Sequence, residues 1–399
     1  FIDSLFRLID RDEGATMARN KRIAVVINLD WTMKHHQEVF AGIQEYAQGR
    51  GWDSVLWPFP PKVTDDRGRR LYDGLIGRVH PKLASSAKAA GIPLVNVWIS
   101  SPCKKVPLVA PDIHQAGRMA AEHLVARGFR RFGFVGYTRN TSTRWLREGF
   151  REVAREQGIP VSPLLVSPTF SESARSWSHF HDDLRRWIET LTLPVGVLGL
   201  TDKVARYTMN AATELGLSVP EDVAVVGMEN EELVCLNPAP SITSIDLGWK
   251  RVGERAAELL GGLMGRAQPR AEPLLLPPVT LIPRRSTDSF TVDDPHVAQA
   301  LRIIAEESHR PIKVRDVVAQ VPLSWRSLER RFQVSRGTTL SKEITRFRIE
   351  RAKRLLTETD MLVKQVAEAS GFANTRRLCE VFKRLEGISP ESYRQQRGT

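Results

Sequence analysis

From Lys21 onward, short β-branched runs alternate with amphipathic helical stretches, and then the same order starts again. "KRIAVVI" leads into "HHQEVFAGIQEYAQGRG", where Val39, Ile43 and Tyr46 fall at helical spacing before a glycine stop. "DSVLWPF", "DGLIGRV", a helical stretch to Ala90 and "IPLVNVW" follow. From Arg130 the series returns. "RRFGFVG" answers "KRIAVVI" and "RWLREGFREVAREQGI" answers the first helix. "PLLVSP", "VGVLGLTD" and "DVAVVGM" then answer the three later strands. Strand–helix alternation of this kind builds a parallel, doubly wound sheet. Two rounds of it predict an α/β protein of two lobes with a cleft between the sheets, and ligands in such sheets bind beyond the carboxyl ends of the strands. The chain should pass between lobes near "APDIHQAGRMAAEHL", near "SITSIDLGWKRVGERAAELL" and in "PLLLPPVTLIPRRS".

After Pro283 the texture changes. "RRSTDSFTVDDP" is polar and aperiodic, and its Asp-Asp-Pro suits a solvated linker that feeds a helix N-terminus. Docking between neighbouring domains is the other use such a stretch has. From Asp293 on, everything reads helical, and two segments share one rhythm. In "RDVVAQVPLSWRSLERRFQ", Val314, Val317, Val318 and Val321 form one apolar face, "PLS" turns the chain, and Leu328 and Phe332 anchor a second helix. In "KQVAEASGFANTRRLCEVFKR", Val366 and Ala369 pack, "SGF" turns, and Leu378, Val381 and Phe382 anchor the next helix. Leu328 pairs with Leu378 and Phe332 with Phe382 at one constant offset, so a supersecondary unit has been duplicated.

A helix-turn-helix buries its first helix and one side of its second, leaving a polar face for the major groove. That face carries Ser324, Trp325, Arg326, Ser327 and Arg330 in the first unit. In the second it carries Asn374, Thr375, Arg376, Arg377 and Glu380. Between the units, "LSKEITRFRIERAKRLL" is long enough to set two recognition helices about one DNA turn apart, ~34 Å. Two copies would then read two successive major grooves. The charge agrees: 58 Lys and Arg stand against 46 Asp and Glu, a net of +12. Residues 293–399 hold 21 of those bases against 14 acids, and a basic excess there favours a polyanionic partner.

Other classes are disfavoured. Cys103, Cys235 and Cys379 lie far apart without a CxxC pair, which fits reduced thiols and neither a disulfide framework nor a metal site. The adjacent His35 and His36 point in different directions on any regular element, so no metal is expected. No apolar run approaches the ~18 residues of a membrane span. "FIDSLFRLIDRDEGAT" lacks the plan of a signal peptide, and residues 1–16 are expected to be a loose, disordered extension. A glycine-rich phosphate loop, a nucleophile elbow and a triad are all missing, which argues against a sugar-acting enzyme. A transport solute-binding protein would need a secretory signal and no DNA-binding appendage. No cofactor is called for.

The C-terminal helices resemble the AraC-type DNA-binding domain. Gly371, Phe372, Phe382, Lys383, Gly387, Ser389, Pro390, Tyr393 and Arg394 of "GFANTRRLCEVFKRLEGISPESYR" fill that family's signature. The chain departs from it at Arg377-Leu378, where an aromatic pair is usual, and at Trp325, where an arginine is. "VGVLGLTD", "GLSVPEDVAVVGMENEEL" and "SITSIDLGWKRVGERAAELL" resemble the sugar-sensing, periplasmic-binding-protein-like type I domain of LacI-type regulators. The division this implies is a sensor over 17–285 with lobes at about 20–125 and 126–245. A linker over 286–292 and a DNA-binding domain over 293–399 follow.

Sugar recognition needs planar charged or amide groups to chelate hydroxyls and an aromatic face for the ring. Candidates at strand ends and helix starts are Asp30, Trp31, His35, His36 and Asp112, then Arg144, Trp145, Arg147, Asp202, Glu229, Asn230 and Glu231. Asp202 has the alternative job of capping its helix. By resemblance, the arginines at 144–147, Asp202 and the acid at 229 match positions that LacI-type domains use for effector, although Glu229 stands where aspartate is more usual. The expectation is a cytoplasmic, sugar-responsive regulator that acts as a homodimer on promoter half-sites of double-stranded DNA. It would activate genes for a pentose such as xylose and engage RNA polymerase, with repression as the alternative.

Overall fold

The computed structural model describes residues 20–29, 34–168, 173–237, 239–265, 272–288, 294–359 and 361–395. Trp31, Asp30 and the expected N-terminal extension lie outside them. The chain divides into two compact units and passes between them at 110–111, 248–249 and 274–275. No helix among the described residues is long and apolar enough to cross a membrane.

The first unit opens with β1 (Arg22–Val26), α1 (Lys34–Gly49), β2 (Asp53–Trp57), β3 (Gly74–Gly77), α2 (Pro81–Ala90) and β4 (Leu94–Asn96). All four strands are parallel, in the order β2-β1-β3-β4. β3 and β4 are buried throughout, as parallel strands covered on both faces must be. β5 (Val109–Pro111) ends the first pass through this lobe.

The second unit repeats the plan. α3 (Ile113–Ala126) enters it, followed by β6 (Phe132–Tyr137), α4 (Thr141–Glu156), β7 (Val161–Val166) and α5 (Ala174–Glu189). Next come β8 (Val195–Gly199), α6 (Asp202–Glu214), β9 (Val223–Met228), α7 (Glu232–Leu236) and β10 (Thr243–Asp246). The chain returns to the first unit as α8 (Trp249–Met264), and β11 (Leu274–Leu276) pairs with β5. β12 (Thr280–Ile282) then adds antiparallel to β10, completing a sheet of order β12-β10-β9-β8-β6-β7.

Each lobe carries one very close helix crossing. A Cβ on Gly42 of α1 would sit 2.0 Å from the Lys250 carbonyl oxygen, and one on Gly253 of α8 would sit 2.1 Å from that of Val39. In the other lobe, Gly117 of α3 and Gly149 of α4 stand 2.1 and 2.0 Å from the Leu146 and His114 carbonyl oxygens by the same measure. Only hydrogen at these four positions lets the backbones meet. In each lobe the helix after the first strand, α1 or α4, thus crosses the helix by which the chain comes in from the other lobe, α8 or α3.

Arg284–Thr287 departs from the solvated linker that its polarity suggests. Arg284, Ser286 and Thr287 are buried, because a 3₁₀ turn at Arg285–Thr287 packs beneath β9 and β10. The Ser286 hydroxyl donates to the Val225 carbonyl at 2.5 Å and accepts the Thr243 amide at 2.9 Å. Backbone groups that would otherwise be orphaned are satisfied by the serine and threonine side chains.

The rest is helical: α9 (Pro295–Glu307), α10 (Val314–Val318), α11 (Trp325–Arg336), α12 (Leu340–Glu358), α13 (Val363–Ala369), α14 (Thr375–Glu386) and α15 (Pro390–Gln395). They enclose two cores. Val317, Val321, Leu328 and Phe332 pack with Leu301 and Ile304 of α9. Val366, Ala367, Leu378 and Phe382 pack with Phe372 and Tyr393. α12 belongs to both: Leu340, Ile344 and Phe347 enter the first core, Ile349, Ala352 and Leu356 the second. With 19 residues it spans ~28 Å.

Candidate nucleic-acid interface and sensor clusters

In both helix-turn-helix units the second helix is fixed on its apolar side and open on its polar side. Leu328, Phe332, Leu378 and Phe382 are fully buried, and Trp325, Arg326, Arg330, Arg376, Arg377 and Glu380 are exposed. Ser324 caps α11 by accepting the Ser327 amide, and Asn374 caps α14 by accepting the Arg377 amide at 2.9 Å. These two residues therefore set where each helix starts. Trp325 stands 63% exposed, so it is not part of the core. Leu378, at the family's usual aromatic position, is buried, while Arg377 beside it faces solvent. An amphipathic helix with an exposed basic face, held by a rigid core, can enter a major groove and supply guanidinium donors to phosphates and guanine edges.

The first lobe gathers its polar groups at strand carboxyl ends. His36, in the first turn of α1, is buried, with Nδ1 2.9 Å from the Asn28 carbonyl and Nε2 3.2 Å from Arg78 Nη1. Guanidinium only donates, so Nε2 accepts and Nδ1 carries the proton. Burial, and then the Arg78 charge, lowers the His36 pKa and keeps the ring neutral, despite the Asn28 carbonyl. Arg78 follows β3 and lies 4.6 Å from the Trp98 ring centre, and His80 lies 4.9 Å from the same indole. The buried Asn96 holds Trp98 by accepting its amide and donating to its carbonyl. His35 stacks at 4.9 Å on Trp249, the first residue of α8.

The second lobe does the same with different groups. Tyr137 ends β6, and burial pushes its phenol up to about 12. Thr201, not Asp202, caps α6, its hydroxyl accepting the Val204 amide. Asp202 is instead fully buried, accepting the Ser244 hydroxyl at 2.5 Å and the Glu231 amide at 2.7 Å. Burial pushes its carboxyl up to about 6 against those two donors. The turn it holds is unusual: Glu229 and Asn230 have φ of 104° and 51°, a left-handed pair without glycine. Two such residues in a row at a strand end mark a site where surrounding contacts maintain strain.

Against known proteins, residues 121–287 match the periplasmic binding protein-like domain family and residues 317–396 match a helix-turn-helix domain family. The chain is 28% identical over 387 residues to the xylose operon regulatory protein of Escherichia coli K12, covering 94% of this chain and 97% of that protein. It is 29% identical to the Haemophilus influenzae protein of the same description, over 94% and 98%. The solved structure of the xylose-binding transcription activator xylR superposes with a TM-score of 0.59 at 28% identity, covering 95% and 98% of the two chains. The chain is a transcription regulator that joins a periplasmic-binding-protein-like sensor domain to a helix-turn-helix domain. It is not an enzyme.

Within this regulator, the residues singled out from sequence fall into three groups. His36, Glu229, Asn230 and Asp202 sit in the strand-end clusters, although Asp202 has both oxygens engaged in holding the 229–231 turn. Asp112 caps α3, accepting the Gln115 amide at 2.9 Å. Arg144 and Arg147 share an outer groove with Arg151 and Arg155 of α4 and with His114, while Trp145 is half-buried. Sequence reading missed Arg78, Trp98, Trp249, Tyr137 and Ser244. Arg78 directly follows the strand "GLIG", the position rule that had been applied to the other strands, and so carried a usable signal. Ser244 and Trp249 lie inside or beyond a strand and gave none. Among the described residues there is no group of three or more side chains able to hold a metal.

Proposed function

We propose that this regulator activates sugar-utilisation genes in the cytoplasm, as a homodimer on promoter half-sites, in response to a pentose of the xylose type. The observation that carries the sugar reading is the Arg78 guanidinium over the Trp98 indole at the carboxyl end of β3, beside the neutral His36. A planar donor next to an aromatic face suits adjacent hydroxyls and the apolar side of a sugar ring. The left-handed Glu229–Asn230 turn marks a second candidate cluster, at a strand end of its own lobe. Xylose is the first candidate because relatives of nearly full length are xylose operon regulators and a xylose-binding activator.

For the sugar to act as a signal, it must bind one conformational state of the protein more tightly than another, by roughly 1–3 kcal/mol. Recruitment of RNA polymerase by the bound dimer would give activation. The test is a thermal-shift panel of xylose, arabinose, ribose and glucose, followed by gel shifts on operon promoter DNA with each sugar. Xylose should raise the melting temperature by mass action and tighten promoter binding. A panel in which no sugar changes promoter affinity removes the sensor role. A sugar that weakens binding converts the reading to repression.

A further inference from the structure

The two helix-turn-helix cores change over within α12 at a single residue. Phe347 is the last side chain of α12 in the first core, and Ile349 is the first in the second. Arg348 stands between them, half-buried, where the units would bend or twist against each other. Its guanidinium reaches back to the first unit. Nε donates to the Ser308 carbonyl at 3.2 Å, and Nη2 donates to the carbonyls of Arg310 and Ile312 at 3.0 and 2.8 Å. Ser308 closes α9, so these are carbonyls left over at a helix end and in the turn that follows it. Arg351 does the same for the second unit, its Nε donating at 2.7 Å to the carbonyl of Ala369, the last residue of α13. Cations are favoured at helix C-termini, and one turn of α12 thus holds a helix end of each unit.

The units also touch directly. Gly371, at φ 74° in the turn before α14, is buried. A Cβ there would lie 2.2 and 2.6 Å from the Ser308 and Arg310 carbonyl oxygens and 3.0 Å from Arg348 Nε. Backbone of one unit therefore lies against backbone of the other, with the Arg348 fork beside both. Each recognition helix is tied to this joint. Arg331 of α11 pairs at 2.9 Å with Asp294, the N-cap of α9. Lys353 of α12 pairs at 3.2 Å with Glu386, the last residue of α14. A continuous line of hydrogen bonds, ion pairs and helices leads from α11 through α9, Arg348 and α12 to α14.

We infer that Arg348 and Gly371 are positioning residues that lock the two recognition helices at one separation and one rotation, and that this lock makes the regulator selective for the number of base pairs between the two groove segments of a half-site. The selectivity rests on the reading that both units enter the groove. One inserted base pair moves the second segment by about 3.4 Å along the duplex and turns it by about 35°. A locked pair of helices cannot follow that displacement and gives up the contacts of one unit. A pair free to twist at the middle of α12 follows it and keeps both sets.

The test uses the full chain as wild type, Arg348→Ala, Arg348→Lys and Gly371→Ala, with Leu301→Ala as a control that weakens the first core and removes none of these contacts. Anisotropy titrations compare a footprinted promoter half-site with the same duplex carrying one extra base pair between its segments, and with each segment scrambled. Spin labels on a keto amino acid at the exposed Val334 of α11 and its counterpart Arg384 of α14 report the distance between the recognition helices without DNA. Wild type should favour the native duplex over the lengthened one by about 10-fold or more, and Arg348→Ala by less than about 3-fold. Label distances should broaden in Arg348→Ala, and their mean should shift in Gly371→Ala. Leu301→Ala should keep the wild-type ratio. Arg348→Lys keeps the charge without the fork, so it should lose the ratio as alanine does. Unchanged label distances in both Arg348 variants overturn the lock, whatever the DNA does. Broadened distances with an unchanged ratio, or a wild type indifferent to the extra pair, overturn the selectivity. A wild type that ignores scrambling of one segment defeats the two-groove reading, and the label distances then decide the lock. Should Arg348→Ala fail to fold, Arg348→Lys decides, and a wild-type ratio in that variant overturns the proposal.

Discussion

In the first helix-turn-helix unit Leu328 and Phe332 are wholly buried, and in the second Leu378 and Phe382 fill the same places. Capping matches too, Ser324 against Asn374, and so do the left-handed C-caps, Gly337 at φ 65° against Gly387 at φ 77°. The exposed faces do not match. Arg376 and Arg377 both pair with Glu380, at 3.0 and 3.4 Å, whereas Arg326 and Arg330 make no ion pair among the described residues. Trp325 stands where the second unit has Thr375. Duplication has preserved what sets the scaffold and released the exposed face. The two units should therefore be equal in stability tests and unequal in binding tests.

The largest effect should come from the shared anchors. Phe332→Ala and Phe382→Ala each remove a fully buried ring and should each cost about 3–5 kcal/mol. Urea unfolding of the full chain, followed by helical circular dichroism, measures both. A difference between them of more than about 2 kcal/mol would break the equivalence of the cores.

Glycines sharpen the comparison one step further. A Cβ on Gly387 meets nothing within 4 Å, so Gly387→Ala should cost only the left-handed penalty, about 1–2 kcal/mol, as should Gly337→Ala. Gly371 has no counterpart, since the first unit has Val321 there. At Gly371 a Cβ would approach the Ser308 and Arg310 carbonyl oxygens to 2.2 and 2.6 Å. Arg348 of α12 donates to the same two carbonyls. Gly371→Ala should therefore cost more than the other two together and loosen the contact between the units. Equal melting temperatures for all three variants would sink that account.

How much of this was legible in the sequence follows from the range of each interaction. Strand–helix alternation and the constant offset of Leu328/Leu378 and Phe332/Phe382 are local patterns, and the fold follows them. Arg284, Ser286 and Thr287 read as a linker because polarity is a local property. Their burial depends on partners such as Val225 and Thr243, which lie about sixty and forty residues away. Asp202 is a similar case. Its position after a strand was readable, but its role depends on Ser244 across the sheet. Trp98 became visible only once Asn96 was seen to fix its orientation beside Arg78.

Binding is where the units should part. Arg326→Ala should weaken promoter affinity by about 1–3 kcal/mol and relax base preference at one position. Arg376→Ala should cost less, because Arg376 must give up Glu380 to reach a base. Anisotropy titrations with matched and scrambled duplexes separate the outcomes. An equal loss on every duplex would make Arg326 a phosphate contact. Ser324→Ala and Asn374→Ala should instead lower stability by about 1 kcal/mol, through lost caps, with base preference unchanged.

The smallest effect tests the pairing itself. Hydrogen bonding to Arg376, and then to Arg377, holds the Glu380 carboxyl below its ordinary value. A depressed acid contributes its pairing above the ordinary carboxylate range and loses it as pH falls below that range, so at neutral pH both arginines are engaged. Glu380→Gln removes the pairing without changing pH. Such exposed pairs are weak, so affinity for duplexes of any sequence should rise by only about 2-fold. The salt dependence should steepen by about one unit of slope as a guanidinium becomes free for phosphate. Position 330, the counterpart of Glu380, is an arginine, so the control in the first unit is Glu329→Gln, the acid of its second helix. It should leave the slope where it was, because Arg326 and Arg330 make no ion pair among the described residues. If Glu329→Gln steepens the slope as much as Glu380→Gln, the faces are alike after all, and the division between a shared scaffold and a divergent reading surface fails.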